Sequence, residues 1–199
     1  MISGRMNRNN ILRTLAEMTV FLLLSCPAMA DKEYFHVAQN IAQQGRNNVR
    51  FTDEMMAFYL DEPLLSKGVM RFDPPDKLTK IIEEPEYIKQ QISGDEVLVI
   101  RGDNEPERFS LASHLGLEVM ANTLRSLLSG EFDYIQNEYD IEFQERAQTW
   151  SMKLVPLKEN VEEIVESVVV EGRGGIITKY TITESNGDYT ITSLYDADH

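Results

Sequence analysis

Three histidines are the first candidates for chemistry, and their spacing denies them a shared task. His36, His114 and His199 fall in separate regions, with no i, i+4 pair of the kind that holds a metal on one helix face. No Gly-x-Ser-x-Gly elbow, Walker loop or dinucleotide fingerprint occurs. Gly172-Arg173-Gly174-Gly175 has the glycine density of a phosphate cradle. It precedes a strand pattern rather than a helix N-terminus, so it reads as a tight hairpin or bulge. Paired carboxylates at Asp53-Glu54, Glu83-Glu84 and Glu162-Glu163 have the residue type for acid–base work. With 33 Asp and Glu in 199 residues such pairs arise by chance, and they read as solvated faces. Neither a reaction nor a metal nor a cofactor is expected.

The strands offer apolar bulk instead. Met55, Met56, Phe58, Tyr59 and Leu60 open the β pattern, Met70 and Phe72 follow, and Trp150 and Met152 lie on a later strand. These side chains either fill a core or line a cavity, where methionine and leucine adapt to a flexible apolar guest. On the second reading Met56, Phe58, Leu60, Met70, Phe72, Leu117, Met120, Leu124 and Trp150 are the candidate cavity or lid residues. Strand register decides between the two, because a slip of one residue exchanges the inward and outward sets.

Charge narrows the partners. The 19 Lys and Arg against 33 Asp and Glu give a formal net charge of −14. A nucleic-acid binder concentrates cations to displace counterions from phosphate, and a protein held on anionic lipid headgroups needs the same sign. Both classes are disfavoured. A single cysteine, Cys26, rules out an internal disulfide framework and a cysteine-based zinc cluster.

Residues 1–30 read as an export signal. Arg5, Arg8 and Arg13 form the positive region, residues 18–24 the short apolar region, and Ala28-Met29-Ala30 the small-x-small pattern for cleavage after Ala30. The apolar run is too short to span a bilayer. Leu23-Leu24-Ser25-Cys26 also resembles a lipobox, in which Cys26 would be lipidated. The well-formed Ala-x-Ala site, and Pro27 directly after the cysteine, favour a discarded cysteine. Either route leads to an extracytoplasmic compartment, most simply the periplasm. Residues 31–199 are expected to form one domain.

Two helices and many strands must position the apolar residues. Tyr34, Val37, Ala38, Ile41 and Ala42 fall at helical spacing, and Gly45 ends the run. The period then changes to two from Val49 to Leu60. Further strands are expected at 64–73, 77–83, 86–92, 96–101 and 107–111, separated by turns such as Asp73-Pro74-Pro75-Asp76 and Ser93-Gly94-Asp95. A helix over 113–129, carrying Leu117, Met120, Ala121, Leu124, Leu127 and Leu128, stops at Gly130. Strands resume at 132–145, 148–156, 163–172, 175–184 and 188–194, the last two joined by an Asn186-Gly187 turn. About ten to twelve strands in one antiparallel sheet must curl. The expected fold is mainly β with α, an unclosed barrel or half-barrel with helices covering its open face.

The ordered set of segments resembles the outer-membrane lipoprotein carrier family, the LolA-like proteins. After the leading helix, residues 49–54, Val-Arg-Phe-Thr-Asp-Glu, are similar to the family's first strand. Residues 68–78 are similar to its Gly-x-Leu-x-Phe…Arg-Pro-x-x-Leu segment, residues 93–98 to its Ser-Asp-Gly-x-x-Leu hairpin, and residues 150–156 to its Trp-x-Leu-x-Leu-x-Pro segment. The resemblance implies a periplasmic carrier, acting as a monomer, with an apolar cavity for the acyl chains of a lipoprotein or lipid-linked cargo. It further implies an inner-membrane transporter as donor and an outer-membrane acceptor. Pro74 stands where family carriers have the arginine associated with holding the lid shut, which resembles the divergent members and a specialised cargo. Exposing an acyl chain of ~14 methylenes at ~0.8 kcal/mol each would cost roughly 11 kcal/mol, so such cargo needs an escort through water. The alternative is a sensor or interaction module on the same scaffold that binds without transporting.

Overall fold

The computed structural model describes residues 34–44 and 48–196. The signal residues Ala28 and Ala30 and the cysteine Cys26 lie outside the described residues.

The chain opens with helix α1 (Phe35–Gln44), whose Val37, Ala38 and Ile41 are buried while Gln39 and Asn40 face solvent. Six strands follow: β1 (Asn48–Met56), β2 (Leu64–Asp73), β3 (Lys77–Glu84), β4 (Ile88–Ser93), β5 (Glu96–Arg101) and β6 (Glu107–Ser110). A 3-10 turn at Leu111–Ser113 leads into α2 (Leu115–Ser129) and the short α3 (Asp133–Glu138). Then come β7 (Tyr139–Arg146), β8 (Thr149–Pro156), a single helical turn α4 (Glu159–Glu162), β9 (Val165–Arg173), β10 (Ile176–Glu184) and β11 (Tyr189–Asp196).

All eleven strands form one antiparallel sheet in the order β6-β5-β4-β3-β2-β1-β11-β10-β9-β8-β7. The sheet is not closed: β6 and β7 are its two edges. The first and last strands meet in the middle, with Phe51 opposite Leu194 and Asp53 opposite Thr192. This order explains the helices. Between β6 and β7 the chain must pass from one edge of the sheet to the other, and α2, about 22 Å long at 1.5 Å per residue, carries it across the concave face. Strand alternation fills that face from below, with Phe51 on β1, Met70 and Phe72 on β2, and Trp150, Met152 and Leu154 on β8.

Helix α2 joins two apolar clusters. Val119 and Leu127 belong to the larger, with α1 and the central strands, while Ala121 packs with Phe72, Leu78, Val97 and Val99 of the other wing. Its C-cap Gly130 adopts φ +72°, and a Cβ there would lie 2.5 Å from the Ala42 Cβ of α1, so glycine serves both the left-handed turn and the close helix approach.

Two local expectations are corrected. Residues 132–138 are not strand. Phe132, Ile135 and Tyr139 are buried at i, i+3 and i+7, a helical period that outweighs the β preference of their aromatic and branched side chains. The opening strand also stops at Met56, because its partners do: β11 pairs it as far as Tyr189 and β2 as far as Leu64. Phe58 and Tyr59 therefore stand in a turn, closed by the Leu60 N–H to the Ala57 carbonyl at 2.9 Å.

Candidate ligand cavity

Between the concave face and the helices lies a cavity of about 50 Å³. Helix α2 roofs it with Leu124, Leu127 and Leu128, and α1 contributes Ile41. Val49, Met70, Phe72 and Leu194 of the central strands form the floor. Val170, Gly175, Ile176, Ile177 and Tyr180 of β9, β10 and their turn close the remaining side. The side chains of the lining are apolar apart from the Tyr180 hydroxyl. The cavity's volume is several times the roughly 10–15 Å³ that one water-sized sphere takes up.

The candidate residues divide. Met70, Phe72 and Leu124 are in the wall. Leu117 packs on the second cluster, and Met120 is half-buried on α2 away from the wall. Trp150 is buried but belongs to the sheet: its ring covers Gly172 of the neighbouring strand and its Nε1–H donates to the Gly174 carbonyl at 2.8 Å. Met56, Phe58 and Leu60 lie at the far end of β1, outside the wall. Phe58 is 83% exposed, edge-on to Tyr59 at 5.3 Å, because the turn that ends β1 points it away from the sheet. The wall residues missed by sequence reading, Leu127, Leu128 and Tyr180 among them, carry the same periodic signal as the core, which hides them.

One expectation about charge is corrected here. Asp53 is not on a solvated face. It is 7% exposed, because alternation along β1 turns it to the same side as Phe51 while Glu54 points away. Its Oδ1 accepts from the Thr192 hydroxyl at 2.6 Å, and its Oδ2 pairs with the Lys80 ammonium, which sits 4.6 Å above the Phe51 ring. Thr192 in turn meets the Tyr180 hydroxyl, whose pKa burial raises. A row of polar groups thus crosses the concave face beside the apolar cavity.

Polar anchors hold α2 in place. The Arg125 guanidinium donates from Nε to the Asp76 carbonyl at 2.7 Å and from Nη2 to the Gly94 carbonyl at 2.8 Å. These are turns of the β2–β3 and β4–β5 hairpins, so one side chain ties the helix to the wing of the sheet. On the opposite flank the Thr123 hydroxyl donates to the Val119 carbonyl at 2.8 Å and lies 2.6 Å from the Tyr139 hydroxyl, whose pKa burial raises.

No protein of curated function matches the chain. Among solved structures, a LolA superfamily protein from Nitrosomonas europaea is 12% identical, covering 80% of this chain and 91% of its own, with a TM-score of 0.40. LprF from Mycobacterium bovis is 8% identical, with coverages of 82% and 91% and a TM-score of 0.39. A chain of the complex between the CwlD amidase and the GerS lipoprotein of Clostridioides difficile is 10% identical, with coverages of 94% and 92% and a TM-score of 0.38. The sequence model of a known family matches residues 25–198, nearly the whole chain, and with an open eleven-stranded sheet, covering helices and an apolar cavity beneath them, the protein belongs to the outer membrane lipoprotein carrier protein LolA-like family.

Proposed function

We propose that the protein is a periplasmic carrier that shields the acyl chains of a lipoprotein or lipid-linked cargo beneath α2 and ferries it towards the outer membrane. The supporting observation is the cavity, an apolar void between the concave sheet and two helices where a fully packed core would have none. At about 50 Å³ it is a nucleus for the bound chain rather than its full length. Loading therefore requires α2 to lift from the sheet. Arg125 resists this movement: the latch which the family resemblance places at the position of Pro74, in the β2–β3 turn, is on this reading carried by the helix, gripping two hairpin turns. On this reading residues 1–30 are the export signal, residues 31–199 the carrier domain, and Met70, Phe72 and Leu124 acyl contacts. The donor is an inner-membrane transporter and the acceptor an outer-membrane protein. No reaction is assigned.

A second reading, a sensor or interaction module that does not transport, is favoured by the β1–β2 turn. Phe58, Tyr59, Leu64 and Leu65 are all exposed there, an apolar surface outside the cavity that a shielded chain does not use.

Native mass spectrometry of the protein purified from its own compartment, followed by solvent extraction, tests the carrier. An acylated molecule that leaves on denaturation is the expected result. A clean apo mass, unchanged after incubation with lipids and lipoproteins, removes the carrier reading and leaves the interaction module.

A further inference from the structure

The part-buried ion pair on the concave face is the feature that the apolar cavity alone does not explain. Lys80 and Asp53 point inward from β3 and β1, and a salt bridge taken out of water is seldom better for stability than an apolar pair of the same shape. Their position is specific. Lys80 lies directly opposite Met70 in the β2–β3 register, which puts the two side chains on one face as neighbours, and Met70 lines the cavity. On the far side of Asp53, Thr192 lies opposite Tyr180, the one cavity-wall side chain that carries a polar atom. The polar row therefore runs along the border of the acyl cavity rather than through a separate part of the core.

Within the row the hydrogen-bonding capacity is uneven. Asp53 accepts from both Thr192 and Lys80, and Thr192 and Tyr180 are engaged with each other. Lys80 has three ammonium donors, and the structure gives it one acceptor, Asp53, and the face of Phe51. Its side chain is also the most accessible of the pair, 23% exposed against 9% for Asp53. The pair is formally neutral. A phosphate or free carboxylate entering there would bring a net charge into a site whose cation is already matched, whereas a neutral acceptor would bring none.

We propose that Lys80, neutralised by Asp53 and set between the cavity-wall residues Met70 and Tyr180, is the polar end of the acyl site, where its remaining N–H groups donate to the ester carbonyl oxygens joining acyl chains to glycerol. The inference rests on the carrier reading and deepens it: the apolar walls accept any long chain, and Lys80 sets how the chain is joined to its cargo and how deeply it enters. The same linkage occurs in free glycerides and in lipid-modified proteins, and the site reads the linkage common to both.

The test is competition against a fluorescent acyl probe bound to the full chain. The competitors are 1,2-dipalmitoylglycerol, its ether analogue 1,2-dihexadecylglycerol, and a short peptide bearing S-dipalmitoylglyceryl-cysteine with its own ether counterpart. Replacing one member alone would strand a buried charge, so the variant is the double substitution Asp53→Asn with Lys80→Met, whose long stem still covers Phe51. The native protein is expected to prefer ester over ether by about tenfold, the scale of one hydrogen bond to a charged donor. The double variant is expected to lose that preference while binding the ethers as before, an effect that a purely structural ion pair would not produce. An ester advantage confined to the peptide identifies acylated protein as the source, and one confined to the free glyceride identifies lipid; either supports the site. An ester preference that persists in the double variant, or is absent from the native protein, overturns the assignment of Lys80 and leaves the acyl cavity standing. Failure of the native protein to bind the probe or any competitor removes the cavity reading, and this inference with it.

Discussion

Gly172 has no side chain where Trp150 needs the room. A Cβ there would lie 2.3 Å from both the Trp150 ring and the Ile176 carbonyl oxygen, and the latter belongs to backbone that cannot give way without disturbing the β9–β10 pairing. Gly172→Ala is expected to destabilise the fold by about 2–3 kcal/mol, the cost of overpacking a filled core, and to lower Tm by roughly 5–10 °C in a protein of this size. An unchanged thermal midpoint would show that the sheet relaxes at this point. Trp150 also shows how residue type misleads. Its size and apolar ring suit a cavity wall, but its indole N–H is committed to the Gly174 carbonyl, which fixes it as a pin between β8 and the following hairpin. Asp53 misleads in the other direction: its neighbour Glu54 and the acidic composition point to solvent, and only its place in the β1 alternation turns it inward.

At the scale of elements, the proposed carrier function makes α2 and its attachments the part that must open. The grip of Arg125 on the Asp76 and Gly94 carbonyls is two charge-assisted hydrogen bonds across the line where the helix would part from the sheet. Arg125→Gln is expected to speed loading of an acyl probe by about tenfold or more, measured by stopped-flow fluorescence, and to raise amide exchange across residues 115–129. Unchanged rates in both measurements would mean that the helix is not the gate. The start of the crossing has its own fastening. The Asp95 carboxylate accepts from the Ser110 hydroxyl at 2.7 Å and from the Ala112 N–H at 2.9 Å, joining the β4–β5 turn to the 3-10 turn before α2. The Ser110 hydrogen bond first, then the backbone ones, hold its pKa below the ordinary aspartate value. A carboxylate with a lowered folded pKa stabilises above the unfolded value of about 3.9, and that contribution disappears as pH falls through the folded value. The urea midpoint of the native protein should therefore exceed that of Asp95→Asn at pH 6, with the gap closing towards pH 3. A gap independent of pH would place the effect in packing rather than charge.

At the scale of the whole molecule, part of the excess of carboxylates lies along a free edge of the sheet. The open sheet leaves β7 as an exposed edge, a template for pairing with another strand. Asp140, Glu142 and Glu145 lie along it, all exposed. The net charge of −14 also repels anionic headgroups, which on the proposed carrier reading keeps the protein from settling on a membrane. Neutralising Glu131, Asp133, Asp140 and Glu142 to their amides is expected to increase co-sedimentation with phosphatidylglycerol vesicles several-fold and to leave acyl-probe affinity unchanged. No increase in vesicle binding would leave Asp140 and Glu142 with edge protection alone and the repulsion of headgroups without support.

Much of this architecture was legible in the chain. Period-two segments between Gly, Pro and Asn turns specify strands locally, and a long run of hairpins specifies an antiparallel sheet, since each turn determines its own pairing. The 3.6-residue pattern around Leu124 specifies the covering helix in the same local way. Short α3 reads as strand in the sequence because six residues carry a helical period too short to outweigh the β preference of Tyr134, Ile135 and Tyr139. Tertiary structure alone decided where the sheet is joined, β1 against β11, since that pairing brings together residues more than a hundred positions apart and no turn encodes it. That pairing places Asp53 opposite Thr192, and the crossing from β6 to β7 lays α2 over the central strands. Core and cavity are lined by the same side chains, so the void beneath α2 and the polar row at its border follow from how distant elements fit together, which sequence periodicity does not record.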